Sequence, residues 1–125
     1  MIISHSHPSF GNAQIASYML TADGAYYSID YIKTKKLSGF TQKLSNESYL
    51  LLKNLAANIP DRLLNSSKSS ETFGCPGCAD QGGYSVELIK GNSSKQFYLD
   101  TQVQSLPVDL RDFATQVGAT LQQLR

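Results

Sequence analysis

Tryptophan is absent from this sequence, and histidine, cysteine and proline are sparse, with two, two and four residues among 125. Both histidines, His5 and His7, stand near the beginning, which leaves the rest of the chain without the usual general base of a hydrolase. No G-x-S-x-G elbow, H-E-x-x-H helix or phosphate-binding glycine loop occurs. Glu47, Glu71, Glu87, Asp100 and Asp109 are scattered and form no pair on an evident rigid element, so they are expected to be solvated. A surplus of either charge is also missing. Eleven basic against ten acidic residues give a formal charge of +1, which supplies no general attraction to nucleic acid or anionic lipid. No apolar run approaches the roughly 20 residues that span a bilayer. The opening MIISHSHPSFGNAQ lacks the basic start and unbroken apolar segment of a secretory signal. The compartment expected is therefore cytoplasmic, or extracytoplasmic with the export signal outside this sequence.

What is present suits one α+β domain, since a chain of this length can bury a core without metal or disulfide support. Residues 1–13 carry serine, proline, glycine and asparagine without periodicity, and predict a flexible N-terminal tail ahead of a single domain over 14–125. Tyr18 and Leu20 alternate with Ser17, Met19 and Thr21, Asp23-Gly24 offers a turn, and Tyr27, Ile29 and Tyr31 resume the alternation. This predicts a hairpin with strands near 14–21 and 25–32. Ser45 can cap a helix in which Tyr49, Leu52, Leu55, Ala56 and Ile59 share a face and which Pro60 ends. A long unpatterned loop at about 61–83 follows. Tyr84, Val86 and Leu88, a Gly91-Asn92 turn, then Phe97 and Leu99 predict a second hairpin near 84–90 and 95–101. Leu110, Phe113, Ala114, Val117, Leu121 and Leu124 predict an amphipathic helix near 108–124, with Pro107 in its first turn. The order reads as a ββα-ββα repeat. Neither hairpin can bury its apolar face alone, so the expectation is a four-stranded antiparallel sheet with two helices packed on one face.

The stretch TFGCPGCADQGGY, residues 72–84, holds both cysteines, and three readings compete for it. Two residues between Cys75 and Cys78 is the spacing of dithiol oxidoreductases, whose first thiolate is stabilised by a following helix N-terminus. Here the residues that follow lead into a strand, and Asp80 opposes a thiolate by charge repulsion. A single C-x-x-C supplies half of a tetrahedral zinc site, with His5, His7 and Asp80 as the nominal candidates for the remainder. The third reading is a structural disulfide between Cys75 and Cys78, where ring closure stabilises by about 2 kcal/mol in the chain-entropy estimate. Gly74, Pro76, Gly77, Asp80, Gly82 and Gly83 form the loop around it, and the glycines permit a tight path. The structural pair is the reading preferred.

The run FGCPGCADQGGYSVELIKG, with LTADGAYYSIDY and KLSNESYLLLKNLA before it and LPVDLRDFATQV after it, resembles a family of small bacterial proteins of unknown function. In that family a glycine-flanked C-P-x-C-A-D loop precedes a hairpin and a closing helix, and many members are exported or lipid-anchored. The resemblance implies that Cys75, Cys78 and Asp80 lie in a signature loop. It implies no activity.

Seven tyrosines stand where tryptophan is missing. Tyrosine joins a large apolar ring to a hydroxyl that tolerates water, which suits contact surfaces. Tyr26, Tyr27 and Tyr98 are the candidates for an exposed cluster on the sheet. The function expected is a non-enzymatic protein-interaction or ligand-binding module with no catalytic residue, no cofactor and no metal, its partner an unidentified protein or small ligand. A thiol-disulfide redox protein and a structural zinc domain are the alternatives.

Overall fold

A computed structural model describes residues 1–6, 15–75 and 82–124 of the chain. Strands β1 (Ile2–Ser6), β2 (Ser17–Thr21) and β3 (Gly24–Ser28) follow one another in antiparallel pairing. Ala22 and Asp23 make the two-residue turn between β2 and β3, where Thr21 Oγ1 donates to Gly24 O at 3.1 Å. Two-residue strand β4 (Gln42–Lys43) pairs with β3. Later in the chain, β5 (Ser70–Phe73), β6 (Gly83–Lys90) and β7 (Ser93–Asp100) join them, and the described residues form a seven-stranded sheet in the order β4-β3-β2-β1-β6-β7-β5. The β6–β7 turn falls at Gly91-Asn92, and Gly91 takes the left-handed φ of 61° that a tight hairpin turn requires.

This arrangement corrects the expected four-stranded antiparallel sheet with two helices. The sheet is mixed, because β5 runs parallel to β7 while the other pairings among the described residues are antiparallel. Among the described residues there are four α-helices: α1 (Tyr31–Thr34), α2 (Asn46–Ala57), α3 (Asp61–Leu64) and α4 (Val108–Gln123). The two hairpins do not join each other. β1 lies between them, pairing Ile3 with Tyr18 on one side and with Val86 on the other.

Each difference has a local cause. Residues 2–6, expected in a flexible tail, form the middle strand, and Ile3 is fully buried there; residues 7–13 of that tail lie outside the described residues. Five residues with two adjacent isoleucines are too short to display a period, and their partners are contributed from afar. The loop expected at 61–83 contains a turn of helix and an edge strand whose parallel partner is reached only through β6. The strand expected to run to residue 32 ends at Ser28, where Asp30 opens α1 and its backbone carbonyl accepts from Lys33 and Thr34.

Helices α2 and α4 cover one face of the sheet. Ser45 Oγ accepts from the Ser48 amide at 3.2 Å and caps α2. Leu52 and Leu55 of α2, with Leu110, Phe113, Val117 and Leu121 of α4, bury against Ile3, Tyr18, Val86, Phe97 and Leu99 of the strands. The opposite face carries a smaller cluster. There Ile2 packs with Tyr31 of α1 and with Phe40, whose rings lie 5.0 Å apart, and with Met19, Tyr26 and Ile89. The Tyr31 hydroxyl donates to Glu87 Oε1 at 2.7 Å. Burial, reinforced by that carboxylate, holds the phenol well above the usual tyrosine range. Among the described residues, no helix is long and apolar enough to cross a membrane.

Where α4 meets β6, Gly118 leaves room for the Tyr84 side chain: a Cβ at this position would stand 2.3 Å from the phenolic oxygen. Alanine favours helix over glycine by about 1 kcal/mol. Overpacking costs about 1–3 kcal/mol and outweighs that gain. Gly118→Ala should therefore lower the urea midpoint, and adding Tyr84→Phe, which removes the clashing oxygen, should recover part of the loss.

Candidate functional site

The cysteine loop leaves and rejoins the sheet at one place. Chain direction brings β5 out at Phe73 beside Leu99 of β7, while Gly83 of β6 pairs with Asp100 at the end of the same strand. Cys75, exposed, stands two residues after the end of β5, with Gly74 between. Pro76, Gly77, Cys78 and Asp80 lie outside the described residues, as does His7. Gly82 and Gly83 are buried where the chain returns.

Both ends of the loop are held by the end of β7. Asp100, 5% exposed, accepts from the Cys75 amide at 3.0 Å through Oδ2. The same oxygen accepts from Ser105 Oγ at 2.9 Å, and Oδ1 accepts from the Gln102 amide at 2.9 Å. On the returning side, Thr101 Oγ1 donates to Gly82 O at 3.2 Å. Burial by itself would push the Asp100 carboxyl up. Hydrogen bonds from Gln102, Cys75, Ser105 and Thr101 together outweigh burial and hold it below the usual carboxylate range. The group is therefore an anion at neutral pH whose oxygens are engaged by the chain itself.

Gly74 is required for this geometry. Its φ is 73°, and a Cβ would stand 2.6 Å from both Asp100 Cβ and Ser105 Oγ. Only a residue without a side chain lets the backbone pass close enough for the next amide to reach the carboxylate. Gly82, with φ 68°, takes the matching left-handed turn on the way back.

The anchor was missed in the sequence, where Asp100 counted among scattered, solvated acids. One signal was legible: an Asp whose side chain receives the amide two residues on makes a local turn, as Asp100 and Gln102 do. Its reach to Cys75, 25 residues away in the chain, has no local signature.

The three tyrosines expected to form a surface cluster are not brought together. Tyr26 and Tyr27 point to opposite faces of β3, Tyr26 packing with Ile2 and Tyr31 and Tyr27 packing into the helix-covered core. The Tyr27 hydroxyl donates to Gln42 Oε1 at 2.7 Å. Tyr98 pairs with Ser85 and Thr72 on β7, four strand positions and roughly 19 Å from β3. All three are half-buried. His5 sits in β1 opposite Tyr84, with ring centroids 5.6 Å apart. Among the described residues, no group of three or more His, Cys, Asp or Glu side chains could hold a metal ion.

No protein-family model matches the chain, and no curated protein or solved structure matches it either.

Proposed function

We propose that this protein is a non-enzymatic binding module that presents the cysteine loop at one end of its sheet, with Cys75 and Cys78 as a structural pair, to a partner protein or small ligand. The observation that carries this reading is the convergence of both ends of the loop on Asp100 and Thr101. An activated dithiol depends on a positive environment, such as a helix N-terminus or a neighbouring cation. Here a buried carboxylate touches the Cys75 amide, and a strand, not a helix, follows the loop. A fixed anion opposes formation of a second one beside it. The contact surface thereby moves from the tyrosines, which sit on different faces and strands, to the loop end of the sheet.

Three measurements on one preparation isolated without reductant test the reading. Thiol titration should find no free thiol, insulin reduction should show no turnover, and metal analysis after dialysis should find no stoichiometric zinc. Catalytic turnover would replace the proposal with a redox protein. Retained zinc whose removal unfolds the loop would replace it with a structural metal domain.

A further inference from the structure

We propose that the segment from Ile29 to Phe40 docks on an anionic lipid surface, with Lys33, Lys35 and Lys36 against the headgroups and Ile29 and Leu37 entering the boundary below them. The proposal does not rest on the reading of the cysteine loop. Charge is unevenly spread along the chain. Residues 31–46 carry four of the eleven basic residues, Lys33, Lys35, Lys36 and Lys43, and none of the ten acidic ones. The remainder of the chain is therefore acidic, and a formal charge of +1 conceals a basic strap.

The fold holds this strap in place. Tyr31 and Phe40 are buried at its two ends and fasten it to Ile2, Met19 and Tyr26 on the sheet face opposite α2 and α4. Between them the chain is closed by its own hydrogen bonds: the Lys35 amide donates to Tyr31 O at 2.7 Å, and a turn of 3-10 helix follows at Leu37–Gly39. Lys35 takes a left-handed φ of 56°, a conformation that favours glycine, and its ammonium lies 5.2 Å from the centre of the Tyr31 ring. Lys33, Lys35 and Lys36 are exposed, and the ion pairs among the described residues, Arg62–Asp109 and Lys68–Glu71, lie elsewhere. The acids of this face are engaged by their neighbours. Asp30 accepts from the Ser28 hydroxyl, Glu87 from Tyr31, and Asp23 from Thr21. Lys43, across β4 from Tyr26, also faces the charge of Asp23, which leaves the other three lysines as the source of the field.

Two features select a lipid surface. Ile29 and Leu37, on either side of the lysines in the chain, are 48% and 47% exposed. An acidic peptide could satisfy the lysines and leave both apolar side chains in water, whereas a bilayer takes up both kinds of group at once. The strap also has no arginine, and its two aromatic rings are buried. It therefore lacks the planar forks and stacking platforms that serve nucleic acid. Lysines on long apolar stems are point charges suited to a diffuse anionic plane.

Co-sedimentation with vesicles provides the measurement. The full chain should bind vesicles of phosphatidylcholine with about 30% phosphatidylserine at low salt, and should not bind pure phosphatidylcholine. Binding should fall steeply as salt is raised to about 0.5 M. Each of Lys33→Gln, Lys35→Gln and Lys36→Gln should weaken it about fivefold, and the three together about a hundredfold. Leu37→Ser should weaken it several-fold without changing its salt dependence, because the lost contact is apolar. Lys53→Gln, at an exposed position of α2 on the other side of the sheet, should leave binding unchanged. All these positions are exposed, so the variants should stay folded, and their urea midpoints should match the wild type.

No binding to the phosphatidylserine vesicles overturns the proposal and leaves the cysteine-loop reading as it stands. A loss with Lys53→Gln equal to that with a strap lysine also overturns it, since the attraction would then be unspecific. The third contrary result is wild-type vesicle binding by Leu37→Ser together with binding of a poly-glutamate peptide that the triple lysine variant abolishes. That outcome assigns the strap to an acidic protein partner instead of lipid.

Discussion

Ile3→Ala should destabilise the protein by about 2–5 kcal/mol, the range for truncating a fully buried isoleucine. Ile3 has no exposed surface and sits between Tyr18 of β2 and Val86 of β6, on the face that α2 and α4 cover. Truncation there leaves a cavity walled on two sides by strands, where relaxation is limited. A domain of this size has about 5–15 kcal/mol in total, so the change should be plain in a urea titration as a lowered midpoint at unchanged slope. The same substitution in a loose tail would stay within about 0.5 kcal/mol. A near-neutral result would show that β1 does not hold the two hairpins together.

Phe113→Ala should cost about 3–5 kcal/mol. Phe113 is 2% exposed in the middle of α4 and belongs to the cluster that includes Ile3, Val86 and Phe97. Val108→Ala, at the first residue of the same helix and 76% exposed, makes the control and should move stability by no more than about 0.5 kcal/mol. Equal effects from the two substitutions would mean that α4 is not docked through its central face.

Helix α4 was readable because its information is local. Leu110, Phe113, Val117 and Leu121 repeat at the helical period, and no other conformation puts all of them on one surface. The Gly91-Asn92 turn was readable for a similar reason, since a two-residue hairpin turn demands backbone angles that few residues tolerate. The strand β5 was not. Its four residues, Ser70 to Phe73, bury only Phe73, and the parallel pairing with β7 is indifferent to any turn residue nearby. Tyr26 and Tyr27 show the limit of alternation. Adjacent residues in a strand must face opposite ways, yet which face is covered depends on the later path of the chain through Tyr31 and Phe40.

The candidate site divides along the same line. Cys75, Gly74, Gly82 and Gly83 were conspicuous in the sequence because a two-residue cysteine spacing among glycines is a pattern within a dozen positions. Asp100 was invisible as a partner because its role is created by the β6–β7 hairpin and the β5–β7 pairing, which together bring three chain segments to the end of one strand.

By itself, then, the sequence determined the α+β class, the two long helices and the presence of an unusual cysteine loop, since each arises from side-chain periods and backbone preferences that act over a few residues. The tertiary structure alone decided that the first residues are the middle of the sheet, that its edge strand β5 runs parallel, and that a buried carboxylate holds the loop. Those features depend on pairings between distant segments, whose free energy appears only when the whole sheet has formed.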